Sequence, residues 1–411
     1  MRPNIWIISQ YESLPSTGLG GRHRHLAREL SARGYSVSLI SARSTHLTRD
    51  KKEAQKAPEK EAFEGFEFVR VSINNYQHAH DKRRILSWLT FAFKVAKLHK
   101  KIGVKPDLVI YSSPSLIPFI SAYYIARRFK AKLIFDVRDI WPLTLMRVGG
   151  FSNTNPLIKI MEWVERFAYR KADFVISNLE GAVTHMCAKG LEREKFKWIP
   201  NGFSEAELSK SCSVDKKVLG TLENQKFSVS YVGTVGEANS IITLLEAAFY
   251  LRDEKDIAIN IFGEGRLLKE LKHHKRRLGL ENVYFWGAIP KKQVSEVLKL
   301  SDCCVICWKD SSLYDYGVAA NKIFDYLYSG KPIINCYSGS YDLVSRYKAG
   351  VTIPAEDPKQ LAKAIKNFSH EEPGRLETLG FNGKSQVKIN HEYRTIARQL
   401  SCLIESLIKR D

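Results

Sequence analysis

The chain has 411 residues and a formal net charge of +20, from 64 Lys and Arg against 44 Asp and Glu. Hydrophobic residues at 44% and charged residues at 26% are ordinary for a globular chain and exclude a disordered one. At roughly 100–200 residues per domain, the length predicts two or three domains.

Strand-like and helix-like segments alternate from the first residues onward. In the first half the predicted strands are 4–9, 36–41, 66–73, 107–113, 132–138, 173–178 and 196–201. They are short and rich in Val and Ile, which suits strands buried on both faces of a parallel sheet. The loop after the first strand carries Gly18, Gly20 and Gly21 and feeds a helix that begins with Arg22, His23, Arg24 and His25. Glycines allow close approach of a backbone to a ligand, and a helix start attracts anions. The third glycine of the dinucleotide fingerprint is missing. Residues 80–103 combine Lys82, Arg83 and Arg84 with Leu86, Trp88, Leu89, Phe91 and Phe93, followed by further lysines. That composition suits a helix lying in an anionic membrane interface, the alternative being a helix packed on the sheet with a basic outer face. Residues 108–126 carry no charge over 19 positions but contain Pro114 and Pro118, and read as a strand, a turn and a helix start rather than a membrane span. Arg138 and Asp139 follow the fifth of these strands, where charges at a carboxyl edge suggest a task or a local ion pair.

The second half repeats the scheme with strands 227–233, 257–263, 283–287, 303–308, 331–337 and 350–354. Alternation of this kind means parallel sheets with right-handed crossovers. The boundary falls near 200–213, giving domains 1–200 and 201–411, the terminal helices of the second being candidates to pack back on the first. Ligands of such sheets sit beyond the carboxyl ends of the strands, so a cleft between the domains is the expected site. Gly233 and Gly236 follow one strand, and Gly263, Gly265 and Arg266 another. The run 314–335 places Asn321 and Lys322 in the first turns of a helix, with Asp325 one turn beyond. A lysine and then a carboxylate suit a diphosphate followed by a ribose. The simpler alternative is an ion pair between Lys322 and Asp325.

The seven cysteines are odd in number and irregularly spaced, which excludes a disulfide framework and points to the reducing cytoplasm. Cys304 and Cys307 have metal-like spacing, but in an apolar strand they read as buried thiols. There is no Walker loop, serine elbow or Asp-x-Asp metal motif.

The order of these motifs resembles the retaining glycosyltransferases of family 4, which have the GT-B fold. The stretches that carry the resemblance are GGRHRHLARELSARG, VRDIWP, IPNG, YVGTVGEANSIITLLEAA, FGEGR and YGVAANKIFDYLYSGKPIIN. They are most similar to the branch that builds bacterial O-antigen, capsule, lipopolysaccharide and exopolysaccharide units. The resemblance implies an α/β architecture of two doubly wound, Rossmann-like domains. The first receives the acceptor and the second binds a nucleoside-diphosphate sugar. By residue it implies that Gly20 and Gly21 approach the donor across the cleft; Gly233, between a strand and a helix, is read from its position as leaving room for the diphosphate at the helix start. Ala320, Asn321 and Lys322 hold the diphosphate with Arg266 nearby, Asp325 binds the ribose, and Ile289 contacts the base. The first acid of the family's Glu-x₇-Glu motif is Gly317 here, and the His of its His-Asp motif is Arg138.

The implied reaction is transfer of a hexosyl or N-acetylhexosaminyl group from a UDP-linked donor to a lipid-linked glycan, with no metal or other cofactor. Lys322 stabilises the leaving diphosphate, and Asp139 or Arg138 orients the acceptor or the sugar hydroxyls. The alternatives are a GT-B nucleotide-sugar epimerase and a non-catalytic GT-B partner subunit. The charge is unevenly shared: residues 1–200 hold 34 Lys and Arg against 18 Asp and Glu, and residues 201–411 hold 30 against 26. The excess therefore lies on the acceptor half, where Lys82, Arg83, Arg84, Trp88 and Phe91 suggest peripheral attachment to the inner face of the cell membrane. Nucleic acid is not an expected partner.

Overall fold

The computed structural model describes residues 3–409 except 19, 75, 77–80, 82, 101 and 211. The chain divides into two units, Met1–Asn201 with Tyr393–Asp411, and Gly202–Glu392.

The first unit is built on an eight-stranded sheet. Its strands are β1 (Asn4–Ser9), β2 (Ser36–Ala42), β3 (Lys60–Phe63), β4 (Phe66–Val71), β5 (Leu108–Ser112), β6 (Lys132–Val137), β7 (Phe174–Ser177) and β8 (Phe196–Trp198). Their order is β3-β4-β2-β1-β5-β6-β7-β8, parallel throughout except for β3 against β4. The direction of winding reverses between β1 and β5. β3 was not legible as a strand: KEAF is four residues long, half-exposed and polar at one end. It exists because Glu64 and Gly65, both at positive φ (45° and 87°), close a tight hairpin onto β4.

The last helix, Tyr393–Ile408, belongs to this first unit. Its apolar face (Tyr393, Ile396, Leu400, Ile404) joins the core formed with Leu26 and Leu30 of the helix Arg22–Ala32. The second unit accordingly ends at Glu392 rather than running to residue 411.

The second unit is a six-stranded sheet of β9 (Phe227–Val232), β10 (Ile257–Phe262), β11 (Val283–Gly287), β12 (Cys303–Cys307), β13 (Ile333–Cys336) and β14 (Gly350–Ile353). The order β11-β10-β9-β12-β13-β14 is all parallel, with its reversal between β9 and β12. Alternate residues of each strand enter different cores. Val229, Tyr231, Cys303, Val305 and Cys307 lie in one, and Val232, Cys304 and Ile306 in the other. Cys304 and Cys307 thus face opposite sides of the sheet, as period-2 alternation requires.

The uncharged run 108–126 becomes β5, a turn and the first part of the helix Phe119–Phe129. Among the described residues no helix is long and apolar enough to cross a membrane.

Candidate functional site

In open parallel sheets, ligands gather beyond the carboxyl ends of the strands where the winding reverses. In the first unit that place is the edge of β1, β5 and β6, and a buried polar cluster occupies it. Asp136, on β6, is fully buried. One of its oxygens lies 2.8 Å from His23 Nε2, 3.5 Å from Arg22 Nε and 3.3 Å from the Ser112 hydroxyl, which donates to it. The other oxygen has no hydrogen-bond partner among the described residues. His23 Nδ1 faces Glu12 at 3.0 Å. Arg22 also donates to the carbonyls of Pro200 and Ile199. Burial by itself would raise the Asp136 carboxyl. The charges of Arg22, His23 and Arg138 and the His23 hydrogen bond outweigh it and hold the group at about 2. Glu12 is held low in the same manner, burial being overcome by His23 and Arg138.

The glycine loop serves this cluster. A Cβ on Gly21 would stand 2.6 Å from Glu12 Oε1, and Gly20, at φ +60°, would place one 2.8 Å from Arg24 Nε. The Glu12 carboxylate accepts the backbone N–H of His23 at the start of the helix Arg22–Ala32. An internal carboxylate therefore already sits where the sequence suggested a ligand phosphate. Arg138 is half-buried, its backbone N–H donating to the Ser113 hydroxyl at 2.9 Å. Asp139 accepts from Trp141 Nε1 at 2.9 Å and from the Thr144 hydroxyl at 2.6 Å, so both its oxygens brace their own loop.

In the second unit the reversal lies between β9 and β12, and Lys322 reaches it. Its ammonium donates to the Tyr231 hydroxyl at 3.1 Å and to Asn239 Oδ1, and lies 4.8 Å from the ring centres of Tyr231 and Trp308. The Gly233 turn passes above it: a Cβ there would be 3.6 Å from Lys322 Nζ. No carboxylate pairs with this amine among the described residues. Burial pushes it down from 10.5 to about 7.

Asp325, one turn along the helix Lys322–Ser329, pairs with Lys291 instead. Its carboxyl is raised by burial, partly offset by Lys291. The i,i+3 pair that spacing allowed is not formed. Asn321 is exposed at the helix start without capping it by its side chain, and Ala320 is half-buried before it. Ile289 is partly buried and packs at the margin of the core, as Trp286 also does. Arg266 is exposed and paired with Glu237. Gly263 and Gly265 serve loop packing. A Cβ on either would lie 1.8 Å from the Gly233 carbonyl oxygen or 2.1 Å from that of Val235.

The helix predicted at 80–103 is Arg83–Ala96, and its facing is corrected in two places. Trp88 is 3% exposed and Phe91 not at all, so neither presents itself to a membrane. Trp88 Nε1 and Arg84 Nε both donate to the Tyr11 hydroxyl, at 2.8 and 3.0 Å. The Arg84 guanidinium lies 5.0 Å from the ring centre of Trp141. Leu86, Leu89 and Phe93 are the exposed apolar residues (52%, 49% and 60%), accompanied by exposed Arg83, Lys94 and Lys97. Lys82 lies outside the described residues.

Residues 17–202 match the glycosyl transferase 4-like domain family, and residues 226–371 match the glycosyl transferases group 1 family. The chain is a glycosyltransferase built of these two domains, with the two-sheet α/β architecture of the GT-B fold. This glycosyltransferase is 23% identical over 300 residues to Escherichia coli K12 WcaI, whose name assigns it to colanic acid biosynthesis, covering 71% of this chain and 74% of that one. Among solved structures, sucrose-phosphate synthase from Thermosynechococcus elongatus aligns over all of both chains with a TM-score of 0.76 at 17% identity. Anabaena HepE, solved with UDP-glucose, aligns over 98% of this chain and 100% of its own at 0.69 and 15%. WaaG, a glycosyltransferase involved in lipopolysaccharide biosynthesis, aligns over 97% of this chain and 99% of its own at 0.66 and 14%. These likenesses establish the fold.

Sequence reasoning passed over Glu12, Arg22, His23 and Asp136 as a constellation in this glycosyltransferase. The available signal was the cluster of charges in strands and loops expected to be buried. What joined them is the sheet order, which sets β1 beside β5 and β5 beside β6.

Proposed function

We propose that this chain transfers a sugar, with retention of configuration, from a UDP-sugar to a lipid-linked glycan acceptor in cell-surface polysaccharide synthesis. The observation that carries the reading is the Lys322 amine. It is desolvated, has no carboxylate partner among the described residues, and stands under the Gly233 turn at the winding reversal of the second sheet. A diphosphate leaving group gains negative charge as its bond to C1 breaks, and a preorganised cation facing that charge lowers the barrier. The start of the helix Lys322–Ser329, after Ala320 and Asn321, adds the positive end of a helix dipole. Exposed Arg266 supplies a second cation. Together these groups take the part a metal would otherwise play. Asp325 is the carboxylate for the ribose hydroxyls, and Ile289 flanks the base.

In the reaction the C1–oxygen bond to the diphosphate breaks. The acceptor oxygen bonds to C1 on the same face, and its proton passes to the departing phosphate oxygen. Arg138 orients the acceptor, and Asp139 positions it by bracing the loop through Trp141 and Thr144. The choice of UDP is supported by HepE, solved with UDP-glucose, and the choice of a cell-surface glycan by the names of WcaI and WaaG. Attachment to an anionic membrane surface is supported by the exposed stripe of Leu86, Leu89 and Phe93 among cations.

A thermal-shift screen of nucleoside diphosphates tests the donor, because a ligand of the native state raises its melting temperature. UDP is expected to give the largest shift, and no shift with any of them overturns the reading. Incubation of UDP-sugars with and without a lipid-linked acceptor tests the reaction. Conversion of the sugar without acceptor would replace transfer by epimerisation.

A further inference from the structure

We propose that a basic cavity in the first unit seats the phosphate or diphosphate group of the lipid-linked acceptor, an inference that rests on the transfer reading above. The cavity measures about 590 Å³ and is walled by Lys51, Lys52, Lys56 and Arg83. Ser44, Gln55 and Tyr76 complete the lining, and no acidic side chain takes part among the described residues. Nor does any of the four cations form an ion pair among the described residues. Two acids are adjacent to these lysines in sequence: Asp50 caps the helix, accepting the Glu53 N–H at 2.8 Å, and Glu53 is exposed and does not line the cavity. Cations gathered around one concavity repel each other and concentrate anions there. Ser44 and Gln55 add neutral donors, and buried Tyr76 forms a fixed wall, tied to His46 Nδ1 at 3.0 Å.

The setting selects the kind of anion. Arg83 is also the first residue of the helix whose outer side exposes Leu86, Leu89 and Phe93. At 1.5 Å per residue, that stripe runs to about 15 Å from Arg83. A soluble phosphate would gain nothing from such a neighbour. A lipid phosphate brings its charge to the cavity and its hydrocarbon to the stripe.

The test titrates the full chain with farnesyl diphosphate, farnesol and inorganic diphosphate, in saturating UDP so that the proposed donor site is filled. Farnesyl diphosphate is expected to bind most tightly. The variant Lys51→Ala/Lys52→Ala/Lys56→Ala, altered at exposed positions, is expected to bind it roughly tenfold or more weakly, at an unchanged melting temperature. Equal binding by the variant overturns the cavity, and equal binding of inorganic diphosphate overturns the lipid assignment. UDP binding is measured on the same samples. If it is intact while the variant effect is absent, the cavity falls and the donor reading stands; the reverse pattern leaves the cavity and removes that reading.

Discussion

The imidazole of His23 stands 2.8 Å from a carboxylate oxygen of Asp136, a residue 113 positions further along the chain. Its other ring nitrogen faces Glu12 at 3.0 Å. Both acids are buried and held low, so the cluster is an ionic core at the edge of the first sheet.

Breaking that core is expected to be costly. Removing one partner of a buried charged set leaves the others uncompensated, at about 3–5 kcal/mol. Asp136→Ala is expected to lose an amount of this order, read from the midpoint of urea unfolding. The sign in acid follows from Asp136 lying at about 2, below its ordinary 3.8. Its contribution is present above about 4 and is lost as pH falls toward 2. Asp136→Asn should flatten the fall in stability over that window.

Lys322→Met is expected to weaken UDP binding by roughly 10–100-fold, the range for a charge-assisted hydrogen bond. The amine sits at about 7 in the free protein, so UDP affinity should decline as pH rises above 7 and the amine loses its proton. Lys322→Met should show a flat profile by calorimetry. Folding has the opposite sign: the unfolded chain binds more protons between 7 and 10.5, so this group favours the native state increasingly as pH rises.

Gly263→Ala is expected to disturb the donor turn. The residue lies at φ +148°, and its new Cβ would meet the Gly233 carbonyl oxygen at 1.8 Å. One of the two loops has to move, and both stability and UDP binding should fall. Gly220→Ala is the control: nothing lies within 4 Å of a Cβ there, and within a helix the change stabilises by about 0.5–1 kcal/mol.

The two sides of the helix Arg83–Ala96 should separate in experiment. Trp88→Ala empties a buried, hydrogen-bonded position and is expected to cost about 3–5 kcal/mol. Leu86→Ser/Leu89→Ser/Phe93→Ser changes exposed residues, and should leave stability nearly unchanged while lowering binding to anionic vesicles in a sedimentation assay.

Much of the architecture was legible because it is encoded locally. Runs such as NIWIIS, LVIYS and CCVIC are apolar on both faces, and only a strand covered on both sides has use for that pattern. β3 escaped because a short hairpin edge strand needs no such run. The last helix declared its amphipathic face but not which unit would bury it. The helix Arg83–Ala96 was apparent, yet its composition could not tell inward Trp88 from outward Leu89, which are consecutive.

By itself the sequence determined two parallel-sheet units, the glycine turns after their strands, and a lysine at the start of a helix near one of them. Tertiary structure decided the partners. It sent Lys322 to Tyr231 and Asn239, and Asp325 to Lys291, although the two share one helix. It assembled Glu12, Arg22, His23 and Asp136 from separate segments and used Gly21 to make room for Glu12. Strand patterns follow from each residue's burial, which neighbours in sequence reveal. Side-chain pairings depend on which strands the sheet order brings together, and that order is a property of the whole chain.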